Sequence, residues 1–566
     1  MKKIPGNCKH YLKTVKRFFQ PVSRRLGLIV VAAFLARLVT YGFIKLPWII
    51  FDEFIYLDTA RQVIRGGFVS LLSRDPQLYP AGWPIVLAAF TGFIKNPFFQ
   101  YSAALFLTML ISALVPVVAF GLTKSLWVSL LVSFYPPLFV YSSSIMSETF
   151  FIFMLLVLIL LLKFIIRDDF SKREHLLLAS VVFAFFIFYT RIIRSFGVIL
   201  LPSFWLATLL VIYFQYRANS LTKLKNLLFF GILVTFFYYL FSYLGSLWFF
   251  PKSGFYERTA YMDALVKALK QPRLSFVLLR NEITLSLYWF LFVLPIFFFV
   301  EAKKELHKKE WHRLLPRIWA VFIYLFSLGL TLAHMFIGTQ KNPQYLVFSR
   351  YLDPSIVLLF IYMIQDFIKY LFSNNRLKIS PLVFVGLGYF VFYFIFKISK
   401  LDYKFGNTMS VYFFLLFQKQ TGLAIFLTVL IALIFYSLLK NKRQWLVNGL
   451  AIFLVFSVYL AISQTLSTPD WVNKKYSLVV KEWQMALNSY PTTDMPLCLG
   501  SEISSEVYYL YHFLNPYQYL QPCSQYEFKP KRIVVKKNAS TAFPASCNLD
   551  YRFSSGESII YCPLGY

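Results

Sequence analysis

The sequence predicts an all-α polytopic membrane protein of about thirteen transmembrane helices with a small α/β domain at its C-terminal end. Three observations predict it. Of 566 residues, 58% are apolar, 20% aromatic and only 14% charged, the composition of a chain solvated largely by lipid. Apolar runs of about 17 to 25 residues, the length a helix needs to cross hydrocarbon, recur from Gly27 to Gln464. The Lys and Arg residues behind a formal net charge of +32 lie between those runs.

That last pattern argues against nucleic acid as a partner, because the basic residues do not share one interleaved surface. They cluster at 2–25, 163–173, 217–225, 303–317, 376–378 and 440–443. Short cytoplasmic loops concentrate Lys and Arg, so these clusters orient the chain in a plasma (inner) membrane with the N-terminus in the cytoplasm. The first span, 28–48, is longer than the apolar core of a cleavable signal peptide and has no small-residue cleavage site after it. It is expected to stay as an anchor. Residues 51–84 then form a first outer loop. Between Trp83 and Leu122 the apolar length exceeds one crossing and is interrupted at Lys95 to Pro97, which predicts one crossing and a short membrane-dipping piece. Further spans are expected near 125–143, 147–166, 175–190, 196–215, 227–250, 283–300, 318–338, 355–371, 380–397, 421–439 and 444–464.

An odd number of spans places the C-terminal segment outside the cytoplasm. The chain thus divides into a transmembrane domain, 1–464, and an extracytoplasmic domain, 465–566. In the latter, "RIVVKK" and "SIIYC" are strand-like and follow a helical stretch, "WVNKKYSLVVKEWQMAL". Cys498, Cys523, Cys547 and Cys562 lie there, and Cys8 is alone on the cytoplasmic side. An even number of cysteines outside the cytoplasm favours one or two disulfides, with three pairings open if both form. Zinc is disfavoured by the absence of CxxC-type spacing. Asn538, Ala539 and Ser540 form a glycosylation sequon. The inverted halves of many transporters are not visible.

The first outer loop opens on "PWIIFDEFIYLDTARQVIRGG". Asp52 can cap a helix of about fourteen residues with Glu53 in its first turn, Arg65 in its last and Gly66 beyond it. Ile55, Ala60, Val63 and Ile64 share an apolar side while Asp58, Arg61 and Gln62 share a polar one, so the helix is expected to lie flat on the outer leaflet. Capping alone would explain the two acids. Other ionisable residues, however, come at similar depth on the same side: Glu148 in "YSSSIMSETFF", Arg191 and Arg194 in "YTRIIRSFG", Lys341 and Arg350 in "GTQKNPQYLVFSRYLDP". Arg194 and Lys341 can also be explained by snorkelling to the interface. Together the residues suggest a cavity holding carboxylates and cations, since charge at this depth must line a cavity or find a partner. In such a cavity a carboxylate can take the proton of an attacking hydroxyl while Arg or Lys stabilises a departing phosphate. The sugar would arrive on a membrane carrier, because nucleotide sugars are cytoplasmic.

Asp52-Glu53 after the first span, "LYPAGWPIVLAAF", "SETFFIFMLLVLIL", "TRIIRSFGVILLP" and "RYLDP" together resemble the GT-C membrane glycosyltransferases, and within them the branch of protein O-mannosyltransferases and aminoarabinose lipid A transferases. The likeness covers roughly residues 25 to 360. It implies a GT-C fold, a polyprenyl-phosphate sugar donor, a lipid or protein hydroxyl as acceptor, and inversion in one displacement. By this resemblance Asp52 is the catalytic base and Glu53 shapes the site or assists a metal. Glu148 is the second outer acidic residue, and Arg350, with Lys341 and Arg191, binds the donor phosphate. Some relatives use a divalent cation, so Asp52, Glu53 and Glu148 are candidate ligands for Mg²⁺ or Mn²⁺. Ala81 stands where the commoner pattern has a second proline, the WWDYG-type signature of oligosaccharyltransferases is absent, and the tail is not the repeat module of eukaryotic protein mannosyltransferases. The competing readings are a transporter or flippase of a lipid-linked glycan and an O-antigen polymerase or ligase. Transport needs cavity charge in both leaflets, whereas transfer needs its base on one side.

Overall fold

The computed structural model describes residues 24–44, 50–66, 80–167, 173–217, 221–249, 258–337, 348–372 and 381–397, isolated helical positions between 444 and 485, and the strand residues named below. The helices are α1 Arg24–Tyr41, α2 Ile50–Gly66, α3 Gly82–Thr91, α4 Pro97–Thr123, α5 Leu126–Ser133, α6 Pro136–Tyr141, α7 Ser147–Arg167, α8 Arg173–Ile193, α9 Leu200–Arg217, α10 Leu221–Phe249, α11 Arg258–Lys270, α12 Pro272–Trp289, α13 Leu294–His307, α14 Trp311–Met335, α15 Asp353–Phe372 and α16 Pro381–Lys397. Short 3₁₀ turns, Ser195–Ile199 and Ser349–Tyr351, precede α9 and α15. Among the described residues seven helices are long and apolar enough to cross a membrane, and an eighth crossing results if the bent pair α12–α13 is one span. The expected span at 421–439 lies outside the described residues.

α4 shows how local chemistry sets the boundaries. Asn96 caps it, its side chain accepting from the amides of Phe98 at 2.9 Å and Phe99 at 3.2 Å, and Pro97 occupies the first turn, where its missing N–H is no loss. The helix ends on Lys124, which adopts a left-handed φ of 58°. Helix α4 packs on α1 and α7, α8 on α10, and α9 on α14, so the buried core is built from paired crossings.

Two expected spans are broken. Residues 125–143 do not make one helix: α5 stops at Ser133 and α6 restarts with Pro136 and Pro137, because neither proline can donate to the preceding turn. The Ser133 carbonyl, left over at the end of α5, accepts from Arg37 of α1 at 3.0 Å. Arg37 is wholly buried, with its other donors on the Ser112 hydroxyl at 2.9 Å and the Ala33 carbonyl at 2.8 Å. The span expected at 283–300 is likewise two helices, α12 and α13, meeting at 84°. Leu291 and Phe292 carry positive φ values of 53° and 55° at the elbow, a costly conformation for bulky residues. It is held by complete burial of residues 290–293 and by the Phe292 amide on the Leu287 carbonyl at 2.7 Å.

The strands are β1 Leu497–Leu499, β2 Gln521–Pro522, β3 Lys531–Lys536, β4 Asn548–Arg552 and β5 Glu557–Cys562, forming one sheet in the order β2-β1-β3-β5-β4. β1 runs parallel to β2 and β3, and β5 antiparallel to β3 and β4. Strands β3 and β5 coincide with the two runs read as strand-like from the sequence. Cys523, Cys547 and the sequon at Asn538 lie outside the described residues. The sheet still constrains the disulfides, because β3 separates Cys498 on β1 from Cys562 on β5. Two strand spacings are about 9.5 Å, beyond the roughly 7 Å that a disulfide spans between Cα atoms. Peptide mapping of the oxidised protein is therefore expected to show no Cys498–Cys562 linkage; recovering that linked peptide would refute the sheet order.

Candidate active site

The expected helix after the first span exists, but it begins at Ile50, so Asp52 and Glu53 both sit in its first turn. It also does not lie with a polar face open. Phe54, Ile55, Tyr56, Leu57, Ala60 and Arg61 are all buried, and Arg61 Nε donates to Gln100 of α4 at 2.6 Å. α2 is instead covered by α3, and Gln100 and Tyr101 of α4 hydrogen-bond to its Arg61 and Glu53. The alternation that suggested an interfacial helix in fact separates an apolar contact from a polar one inside the protein.

Asp52 and Glu53, adjacent in sequence, face different partners. Glu53 is fully buried and accepts from the Ile145 amide at 2.9 Å and the Tyr101 hydroxyl at 3.3 Å. The Ile145 carbonyl accepts in turn from the Trp83 indole at 2.7 Å. The backbone of one residue between α6 and α7, Ile145, is thereby held by α2 through its N–H and by α3 through its carbonyl. It fixes the start of α7, and with it Glu148 in the first turn.

Asp52 points to the other cluster. Arg350 donates through one terminal nitrogen to Asp52 at 2.6 Å and through Nε to Glu148. Arg194, in the turn between α8 and α9, pairs with the same Glu148 oxygen. Asp52, Glu148 and Arg194 are buried, and Arg350 nearly so. The other oxygen of Glu148, buried, has no hydrogen-bond partner among the described residues. Aromatic side chains frame the group. The Arg194 guanidinium lies 5.2 Å from the Tyr351 ring centre, Tyr351 stacks on Phe196 at 5.7 Å, and the Tyr56 hydroxyl meets Ser147 at 2.9 Å. Burial, with the charge of Glu148 next, holds the Tyr56 phenol above its ordinary range. Asp353, the acid of "RYLDP", is buried and accepts from Tyr141 of α6, anchoring the segment that carries Arg350.

The structure thus brings Asp52, Glu148, Arg194 and Arg350 together. Arg191 turns away toward α10, donating to Tyr238 at 2.8 Å and Ser242 at 3.4 Å. Lys341 lies outside the described residues. Among the described residues no three metal-ligating side chains converge. Glu53 is committed to Ile145 and Tyr101, and the other two carboxylates share guanidinium partners, so in this arrangement the set does not fit a divalent cation.

Sequence reasoning missed Trp83, Tyr101, the Ile145 peptide and Tyr351. Trp83 and Tyr351 lay inside quoted motifs, but a tryptophan or tyrosine in an apolar run carries no sign of its hydrogen-bond partner. The glycine of "LYPAGWP" has a clearer purpose: a Cβ on Gly82 would lie 2.5 Å from the Ile192 carbonyl oxygen, so only glycine lets α3 abut the end of α8 beside Arg194. Gly82→Ala is expected to destabilise the protein by about 1–3 kcal/mol, the usual range for overpacking. A lowered thermal midpoint would show this, and an unchanged midpoint would contradict it.

No protein-family model matches the chain. No curated protein sequence matches it. Among solved structures it is similar to ArnT from Cupriavidus metallidurans, in the apo state at 13% identity over 95% of this chain and 97% of that one, with a TM-score of 0.48. The same protein bound to undecaprenyl phosphate gives 12% identity, the same coverage and a TM-score of 0.48. The archaeal oligosaccharyltransferase AglB from Archaeoglobus fulgidus, in complex with an inhibitory peptide and a dolichol-phosphate, gives 10% identity over 92% of this chain and 70% of that one, with a TM-score of 0.42.

Proposed function

We propose that the protein is an inverting glycosyltransferase that moves a sugar from a polyprenyl-phosphate carrier to a lipid or protein hydroxyl outside the cytoplasm. The observation that carries this is the convergence of two acids and two guanidiniums at one end of the bundle, with one carboxylate oxygen of Glu148 lacking a donor among the described residues. Asp52 takes the proton of the acceptor hydroxyl. The hydroxyl oxygen then bonds to the anomeric carbon from the face opposite the phosphate, and the carbon–oxygen bond to phosphate breaks with its electron pair leaving on the phosphate. Arg350, already a ligand of both acids, and Arg194 beside it meet the charge that appears on that phosphate. Glu148 offers its spare oxygen to a hydroxyl of the incoming sugar or acceptor. None of these steps needs a metal.

Orientation follows from the charges at the other end. Lys163, Arg217, Lys225, Lys304, Arg313 and Lys369 all lie at helix ends remote from Asp52 and Glu148. The positive-inside rule makes that end cytoplasmic and the acid cluster extracytoplasmic. We place the transmembrane domain at 1–464 and the sheet-containing segment, 465–566, outside the cytoplasm, consistent with disulfide formation there. Buried charge does occur at the opposite end, where Arg317 is held by Glu305 at 2.9 Å and by Asp366. That set is a closed ion network, whereas the Asp52 cluster retains an open acceptor, which favours transfer over a transport path charged in both leaflets.

Asp52→Asn, which keeps an acceptor for Arg350 but removes the base, is expected to lower glycan transfer about 10²- to 10⁴-fold with the folded protein retained; full turnover would eliminate Asp52 as the base. Orientation is checked separately with single-cysteine variants in intact cells. Cysteine at Lys95 is expected to react with a membrane-impermeant maleimide, and cysteine at Lys304 only after permeabilisation; the reverse pattern would invert the proposed topology.

A further inference from the structure

The cytoplasmic end of the bundle carries a cation group that transfer does not use. Lys163 of α7 stands fifteen residues after Glu148 on the same helix, about 22 Å away along its axis. It is partly buried and donates to the carbonyl of Leu122 in the last turn of α4. Among the described residues the charged groups that act on it most strongly include Arg313, Lys124, Lys369 and Glu305, three cations and one acid. That acid is already committed, because Glu305 binds Arg317 through both oxygens, at 2.9 and 3.1 Å. Arg313 has Glu310 at 2.8 Å, and Lys369 has Glu301 at 3.0 Å. Among the described residues Lys124 and Lys163 are the two cations that these pairings leave without a carboxylate.

An ammonium has three donors, and the Leu122 carbonyl uses one of those of Lys163. Lys124, two residues beyond that carbonyl, is exposed and extends from the left-handed end of α4 with its nitrogen 5.6 Å from the Phe120 ring centre. Trp127, 59% exposed, follows three residues later at the start of α5, and an exposed indole suits the boundary between lipid and water. Two ammonium groups without a carboxylate among the described residues, one of them over an aromatic ring, at a membrane interface are a place for a phosphate carried on a lipid.

We propose that Lys124 and Lys163, with Arg313 alongside, bind the phosphate of an anionic phospholipid headgroup in the cytoplasmic leaflet. The inference rests on the orientation proposed above and is independent of the transfer chemistry. The test uses the full-length protein in a neutral detergent, titrated with phosphatidylglycerol or phosphatidylcholine and read by native mass spectrometry. Phosphatidylglycerol is expected to be retained in preference to phosphatidylcholine, and Lys124→Gln/Lys163→Gln to weaken its retention about thirtyfold, the factor two lysines supply near an anionic surface. Lys124→Gln alone, an exposed change that leaves α7 untouched, is expected to lose about fivefold and keeps the test sound if the double variant fails to fold. Equal retention of both lipids, or unchanged phosphatidylglycerol retention in the single variant, would overturn the proposal. Displacement of the lipid by millimolar inorganic phosphate would assign a soluble anion to the site and overturn it as well. Loss of transfer in Asp52→Asn with lipid retention intact separates this site from the catalytic one.

Discussion

Asp52, Glu148, Arg194 and Arg350 come from four separate segments of the chain, and none of them can be buried where it sits without the others. In a medium of low polarity an isolated carboxylate or guanidinium loses more in hydration than a single neighbour restores, so such charges persist only as matched, well-oriented sets. Here Arg350 spans both acids while Arg194 shares Glu148 with it. Removing one partner of a buried pair costs about 3–5 kcal/mol in typical cases, most of it from the charge left behind. The positions of α2, α7, the α8–α9 turn and the segment before α15 are therefore coupled by charge as well as by packing.

Irregular backbone surrounds this set, and irregularity within a membrane is stable only where its free polar groups are satisfied inside the protein. The two broken spans satisfy one another. Tyr135, in the gap between α5 and α6, donates its hydroxyl to the carbonyl of Trp289 at 3.1 Å, just before the α12–α13 elbow. Its ring stacks on Phe360 of α15 at 3.9 Å, tying both breaks to the helix that follows Arg350. The Ile145 peptide repeats the pattern beside Glu53. Rigid helices deliver the site residues to the same end of the bundle, and the breaks set how they meet there.

Sequence patterns made some of this legible for definite physical reasons. An ionisable residue beside an apolar run stands out because it is costly there, which is how Asp52, Glu148, Arg194 and Arg350 became candidates; their meeting across as many as 298 residues is visible only in the structure. The periodicity of α2 revealed a helix but not what covers it, since lipid and protein are equally apolar neighbours. Breaks were harder. Pro136 and Pro137 were in view, but a search by apolar length passes over a backbone interruption. The elbow at Leu291 and Phe292 has no glycine to announce it; Pro295, in the first turn of α13, marks where a helix restarts but not the positive φ values before it, which surrounding packing imposes. Arg191 looked equivalent to Arg194, yet three residues near a helix end turn a side chain to another neighbour, here α10.

Arg37 has a consequence for how the protein is made. Its guanidinium travels with the first helix, while two of its three acceptors are supplied by Ser112 and Ser133, which are 75 and 96 residues further along. At ribosomal speeds of about 5 to 20 residues per second, the interval before Ser133 emerges is on the order of 5 to 20 seconds. During that interval the arginine has the Ala33 carbonyl of its own helix and must find water or lipid headgroups for the rest. The opening segment must therefore wait near the translocon or the bilayer surface until later segments arrive, so biogenesis proceeds by gathering helices around a pending charge rather than by committing them one at a time.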